Sequence, residues 1–177
     1  MPRDAALRSC VQQARGGWLR RLLDRPAPAT AQPYMELLWL PTWLIVFEVH
    51  SPATGTGTVQ VGVDGCSGAF ALSDLSGAQD AKGDEGEALP LLIDEAQAHL
   101  IARKQLMRTI LGQRGHRHKP TPGGILSTEC VGWPVWTYYY PRFAGKRFDL
   151  CGCDALTGGL IGNRIRSGVL QGLVSLK

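Results

Sequence analysis

The chain lacks most of the patterns by which a sequence announces its chemistry. It has no Walker-type phosphate loop, and Gly55-x-Gly57 falls in a turn between strands rather than between a strand and a helix. No Ser or Cys stands in a recognised nucleophile motif, so no nucleophile is nominated by spacing alone. No apolar run reaches the ~20 residues of a membrane-spanning helix. The most apolar stretch, Leu37 to Val49, holds Pro41 and Glu48 and reads as a buried strand with no membrane span. Met1 to Arg25 carries six arginines and two aspartates without the apolar centre of an export signal. The five cysteines, Cys10, Cys66, Cys130, Cys151 and Cys153, are odd in number with one close pair, which argues against a disulfide framework. A reducing, cytoplasmic setting is therefore expected. Extreme charge is missing as well: 19 basic against 15 acidic residues leave a net +4, which permits an acidic partner without demanding one.

What is present is an ordinary globular composition. At 177 residues and 44% hydrophobic, the chain can bury a core without disulfides or metal. Apolar residues from Leu7 to Leu23 recur near the helical period, giving an amphipathic helix over Asp4 to Asp24 that Gly16 and Gly17 weaken. Prolines end it, and Pro26 to Pro33 is an extended linker. A hairpin follows: Leu38 to His50 outward, Ser51 to Gly57 turning, Thr58 to Asp64 returning. A short strand over Ala69 to Ser73 leads into an acidic loop, Ser76 to Glu87. Ile93 to Leu111 is a second helix, with apolar positions Ile93, Ala96, Leu100, Ile101, Met107, Ile110 and Leu111 and a charge order that suits the helix dipole. After a linker, Gly112 to Gly124, a second hairpin runs from Ile125 to Arg142 and back from Lys146 to Asp154. Asn163 to Leu176 closes the chain as a helix.

The two hairpins can be superposed in sequence. Leu40-Pro41-Thr42-Trp43 lies on Trp133-Pro134-Val135-Trp136, and Val61 to Gly68 lies on Cys151 to Gly158. The offsets differ by three residues, an insertion that a hairpin loop absorbs cheaply. The expected fold is α+β: a duplicated helix-plus-β-hairpin unit forming one antiparallel sheet with helices packed on it. The expected organisation is a single pseudo-symmetric domain, with repeat 1 over about 4–75, an acidic loop over 76–90, repeat 2 over about 91–162 and a C-terminal helix over 163–176. A lone hairpin is marginal in water, so neither half should fold by itself. Pro-x-Trp opening a strand, followed by an Asp-x-x-[Ser/Thr]-Gly turn that closes the hairpin, resembles the PepSY-like repeats over residues 38–73 and 128–162. That resemblance implies a binding or inhibitory module without catalysis, and it carries over no functional residue.

The repeat changes how individual residues read. Asp64 and Asp154 are related carboxylates, but two residues separate each from its Ser or Thr, unlike the Asp-[Thr/Ser]-Gly of aspartic proteases. They are expected to accept backbone N–H groups in turns where Gly68 and Gly158 supply a positive φ. Cys151, Cys153, Cys130, His116 and His118 could be counted as soft metal ligands. Cys151 and Cys153 align with Val61 and Val63, however, so cysteine stands in for a core aliphatic and neither metal nor cofactor is expected. Trp136, Tyr138 and Tyr140 match Trp43, Ile45 and Phe47 and should line one sheet face.

These residues support a non-catalytic protein-binding module, an accessory subunit or adaptor that docks by its sheet, a hairpin edge or the first helix. Trp18, Arg20, Arg21, Arg114, Arg117, Lys119 and Trp133 are the candidate interface residues, because aromatic and arginine side chains often anchor interfaces. The alternative is a small-ligand binding protein or enzyme with a cleft between the repeats, where Asp64, Asp154 and His99 would act. A further alternative is nucleic-acid binding through the basic loops around residues 114–119 and 142–147.

Overall fold

The structure is a computed structural model that describes residues 2–14, 34–72, 86–112, 119–142 and 147–176. In chain order the elements are α1 (Arg3–Ala14), β1 (Tyr34–Ser51), β2 (Gly55–Asp64), β3 (Phe70–Leu72), β4 (Glu87–Ala88), α2 (Glu95–Gly112), β5 (Thr121–Arg142), β6 (Arg147–Asp154) and α3 (Asn163–Ser175). The six strands form one sheet in the order β3-β2-β1-β5-β6, with β4 paired to β1. The fold is α+β. Pairing is antiparallel in both hairpins and between β2 and β3, whereas β4 runs parallel to β1.

Two compact units divide the chain, and each is assembled from three separate segments. The first holds α1, the start of β1, β4, the end of β5, β6 and the first residues of α3. The second holds the rest of β1, β2, β3, α2, the beginning of β5 and most of α3.

In the second unit β1 meets β2 from Thr42↔Asp64 to Ser51↔Gly55. The β-branched and aromatic residues of these strands suit the pleated surface, and alternation puts Ile45 and Phe47 on the face that also buries Val61 and Val63. α2 covers that face with Ala98, Ala102, Leu106 and Ile110. Asp94 caps the helix: its Oδ1 accepts the N–H of Gln97 at 2.8 Å. The entry to α2 is tied to the hairpin, since the N–H groups of Leu92 and Ile93 both donate to the carbonyl of Gly65. Trp43 Nε1 donates to the Ile93 carbonyl at 2.8 Å.

In the first unit β5 meets β6 from Val135↔Asp154 to Arg142↔Arg147. α1 packs on β6, with Ala6 and Cys10 buried among Met35, Cys151 and Cys153, and Trp136, Tyr138 and Tyr140 closing the cluster. The rings of Tyr138 and Tyr140 stack at 6.0 Å. On β6, Asp149 pairs with Arg166 of α3.

Several expectations shift. Helix 1 is described only over Arg3–Ala14, so its expected continuation to Asp24 and the linker to Pro33 lie outside the described residues, as does most of the acidic loop. Glu87, expected in that loop, is instead in β4. Thr121 to Gly124, expected as linker, already belongs to β5. In α2 the large residues Leu100, Met107 and Leu111 are exposed, while the strict four-residue series from Ala98 faces the sheet. Small alanines let that helix approach the strands closely.

Candidate interaction surface

The two Asp turns are the most specific feature carried by the sequence, and their hydrogen bonds correspond one for one. Asp64 Oδ1 accepts the N–H of Cys66 at 2.7 Å and of Ser67 at 3.4 Å, while Oδ2 accepts the Ser67 hydroxyl at 2.6 Å. Asp154 Oδ1 accepts the N–H of Leu156 at 2.8 Å and of Thr157 at 3.4 Å, and Oδ2 accepts the Thr157 hydroxyl at 2.8 Å. Gly68 and Gly158 have φ of 70° and 75°, which a side chain would strain. Both carboxylates therefore hold their own turns. Asp64 is only 5% exposed and lies against α3, where a Cβ on Gly168 would fall 1.7 Å from Oδ2. Such a group orders its loop. His99 Nε2 sits 2.8 Å from Thr128 Oγ1 and 3.7 Å from Glu95 Oε1, a local contact on the flank of α2.

The cysteines divide by environment. Cys66 is buried, and desolvation, helped by the neighbouring Asp64 charge, pushes its thiol up to about 12. Cys153 is pushed up to about 11, mainly by burial. Cys10, read from sequence only as an apolar helix position, joins Cys151 and Cys153 in one cluster. Cys130 is exposed on β5. Among the described residues no group of three or more His, Cys, Asp and Glu side chains is arranged to hold a metal ion. His116 and His118 lie outside them.

In the first unit a cavity of about 380 Å³, open to one side, is bordered by Arg3, Glu36, Glu87 and Trp136. Two of its charged side chains, Glu36 and Arg3, are already engaged. Glu36 Oε1 accepts the Tyr139 hydroxyl at 2.5 Å and Oε2 accepts that of Tyr34 at 3.1 Å. Burial, followed by the Glu36 hydrogen bond and charge, drives the Tyr139 phenol well above its ordinary range, so it stays protonated as the donor. Arg3 Nη2 reaches the Met35 carbonyl at 3.4 Å. The Glu36–Tyr139 contact fixes β1 to β5.

Among the described residues, a long stretch of unpaired strand edge lies on β5. This strand has 22 residues, but β6 has eight and pairs only with Val135–Arg142. β1 lies on the opposite side of β5. Among the described residues no strand pairs with the outer edge of β5 before Val135. Gly124 to Ser127 is exposed residue by residue, with Ile125 at 38% and Leu126 at 57%. Adjacent strand residues point to opposite faces, so apolar side chains flank this edge above and below. Thr128, on the same face as Leu126, hydrogen-bonds His99 of α2, which places Leu126 on the helix-bearing side. A row of outward N–H and C=O groups between apolar flanks is a template for another strand.

Of the interface residues expected from sequence, Trp18, Arg20, Arg21, Arg114 and Arg117 lie outside the described residues. Lys119 donates from Nζ to the Leu111 carbonyl near the end of α2, where a cation complements the helix dipole. Trp133 is half-buried at the end of the open stretch of β5. Sequence reasoning missed Ile125 and Leu126 as surface residues, although a clue was there: the outgoing arm of the second hairpin is about twice as long as the returning one. Comparison with family models, with curated proteins and with solved structures finds no match to this chain.

Proposed function

We propose that the protein is a non-catalytic protein-binding module whose partner contributes an extended segment to the open edge of β5, pairing along Gly124–Gly132. The observation that carries this reading is the mismatch between a 22-residue β5 and an eight-residue β6, which leaves that edge unpaired among the described residues. Strand addition takes its affinity from main-chain hydrogen bonds and its selectivity from side chains on the two faces. Ile125 and Leu126 ask for a partner strand with apolar residues on both faces and little charge.

The two hairpins, read as copies of one unit similar to PepSY-like repeats, belong to the same proposal. Trp43 faces Val63 as Trp136 faces Cys153, the Asp turns agree, and the N–H groups of Gly65 and Ala155 return to the carbonyls of Pro41 and Pro134. A scaffold of two such hairpins presents a sheet edge without assembling a reactive centre.

The test compares the native chain with Leu126→Lys, a charge of the kind that blunts natural sheet edges, in gentle purification from the host. A near-stoichiometric partner is expected with the native chain. The substitution should weaken that complex about 10-fold or more, equal to about 1.4 kcal/mol, at an unchanged unfolding midpoint. Amide exchange over Gly124–Gly132 should slow in the complex. A partner held equally well by Leu126→Lys, or exchange protection elsewhere with none on β5, would refute edge pairing.

A further inference from the structure

α1 is attached to β6 through a small contact in which two thiols meet. Cys10 and Cys151 are both buried, and Cys151 Sγ donates to the Cys10 carbonyl at 3.3 Å. The proximity of the two side chains favours the thiolate on Cys10 and keeps the proton on Cys151, whose own burial acts in the same direction. Cys153 belongs to the same cluster but turns the other way, with Sγ 3.8 Å from the Asp154 carbonyl and 3.9 Å from that of Gly158. Cys151 and Cys153 sit two apart on one strand, so they share a face without pointing at each other. Of the three, the pair that meets across an element boundary is Cys10 with Cys151.

We propose that Cys10 and Cys151 are a reversible redox pair whose disulfide staples α1 to β6 when a peroxide is present. The chemistry balances with a hydroperoxide as oxidant. The Cys10 thiolate attacks one peroxide oxygen, the O–O bond breaks, and a sulfenic acid forms with loss of water after protonation. Cys151 sulfur then attacks the Cys10 sulfur, the S–O bond breaks, and a second water leaves with the Cys151 proton. Two thiols and one hydrogen peroxide become one disulfide and two waters, and a dithiol reductant reverses the change. The bond joins positions 141 residues apart, so it removes much of the freedom of the unfolded chain. In the reduced protein α1 can leave β6 by local opening; in the oxidised protein it cannot.

The experiment uses full-length protein carrying Cys130→Ser, which removes the exposed thiol and its intermolecular products. The reduced protein is treated with hydrogen peroxide, quenched with an alkylating agent under denaturing conditions, digested without reductant and mapped by mass spectrometry. The expected result is a linked Cys10–Cys151 peptide in most molecules, lost on dithiothreitol treatment, with Cys66 recovered as an alkylated thiol. The unfolding midpoint should rise by about 10 °C. Cys10→Ser and Cys151→Ser should each abolish the rise. The peptide map of the Cys130→Ser protein decides the matter even if those variants fold poorly. Recovery of Cys10 and Cys151 as separate thiols or sulfinic acids, or Cys151 joined to Cys153, would overturn the proposal.

Discussion

Gly168 is the residue at which the packing leaves no room. It sits in α3 with Asp64 Oδ2 1.7 Å from where a Cβ would be, and that carboxylate is immobilised by two backbone N–H groups and the Ser67 hydroxyl. An alanine must therefore either displace the helix or break the turn, and overpacking of this kind costs about 1–3 kcal/mol or more. Gly162, just before α3, has nothing within 4 Å of its ideal Cβ. Denaturant titration should show Gly168→Ala destabilised by about 3 kcal/mol, whereas Gly162→Ala should stay within about 0.5 kcal/mol of the native chain. Equal effects of the two substitutions would mean that the Asp64 turn is not held against α3. The turn itself was legible from sequence because Asp, Ser or Thr and Gly at fixed offsets have a local purpose. The need for Gly168, 104 residues after Asp64, was not, because it depends on which helix returns to the turn.

Helix α2 shows why element existence is easier to read than element orientation. Its span follows from periodicity and charge order, and the structure places it at Glu95–Gly112. Its buried face follows from fit. The sheet accepts Ala98, Ala102, Leu106 and Ile110, and leaves Leu100 72% exposed, because a helix lying on β2 needs small residues at its closest approach. Hydropathy alone weights leucine above alanine and so picks the wrong side. Leu106→Ala should cost about 2–4 kcal/mol in chemical unfolding, while Leu100→Ala should change stability by no more than about 0.5 kcal/mol. The reverse ranking would place the helix in the orientation that hydropathy favours. The same distinction applies to β5, whose existence was clear and whose open edge depends on where β6 stops.

For the whole molecule, the ownership of each core is what sequence order conceals. α1 precedes the first hairpin but packs on β6, and α2 precedes the second hairpin but packs on β2 and β3. Each hairpin is thus covered by the helix from the other half of the chain. Cutting the chain between Leu72 and Gly86 leaves an N-terminal fragment with α1 and β1 to β3, and a C-terminal fragment with β4, α2, β5, β6 and α3. The first fragment would expose Ile45, Phe47, Val61 and Val63, all fully buried beneath α2 in the intact chain. At roughly 1.5–3 kcal/mol for each large apolar side chain, the loss is about 6–12 kcal/mol, comparable with the entire stability of a typical domain. The second fragment would lose the helix that seals Cys151 and Cys153. Each fragment alone should therefore show no cooperative thermal transition by circular dichroism, and an equimolar mixture should recover one. A cooperative transition in either isolated fragment would show that its hairpin finds cover within its own half, and the exchange of helices would then not be what holds the fold together.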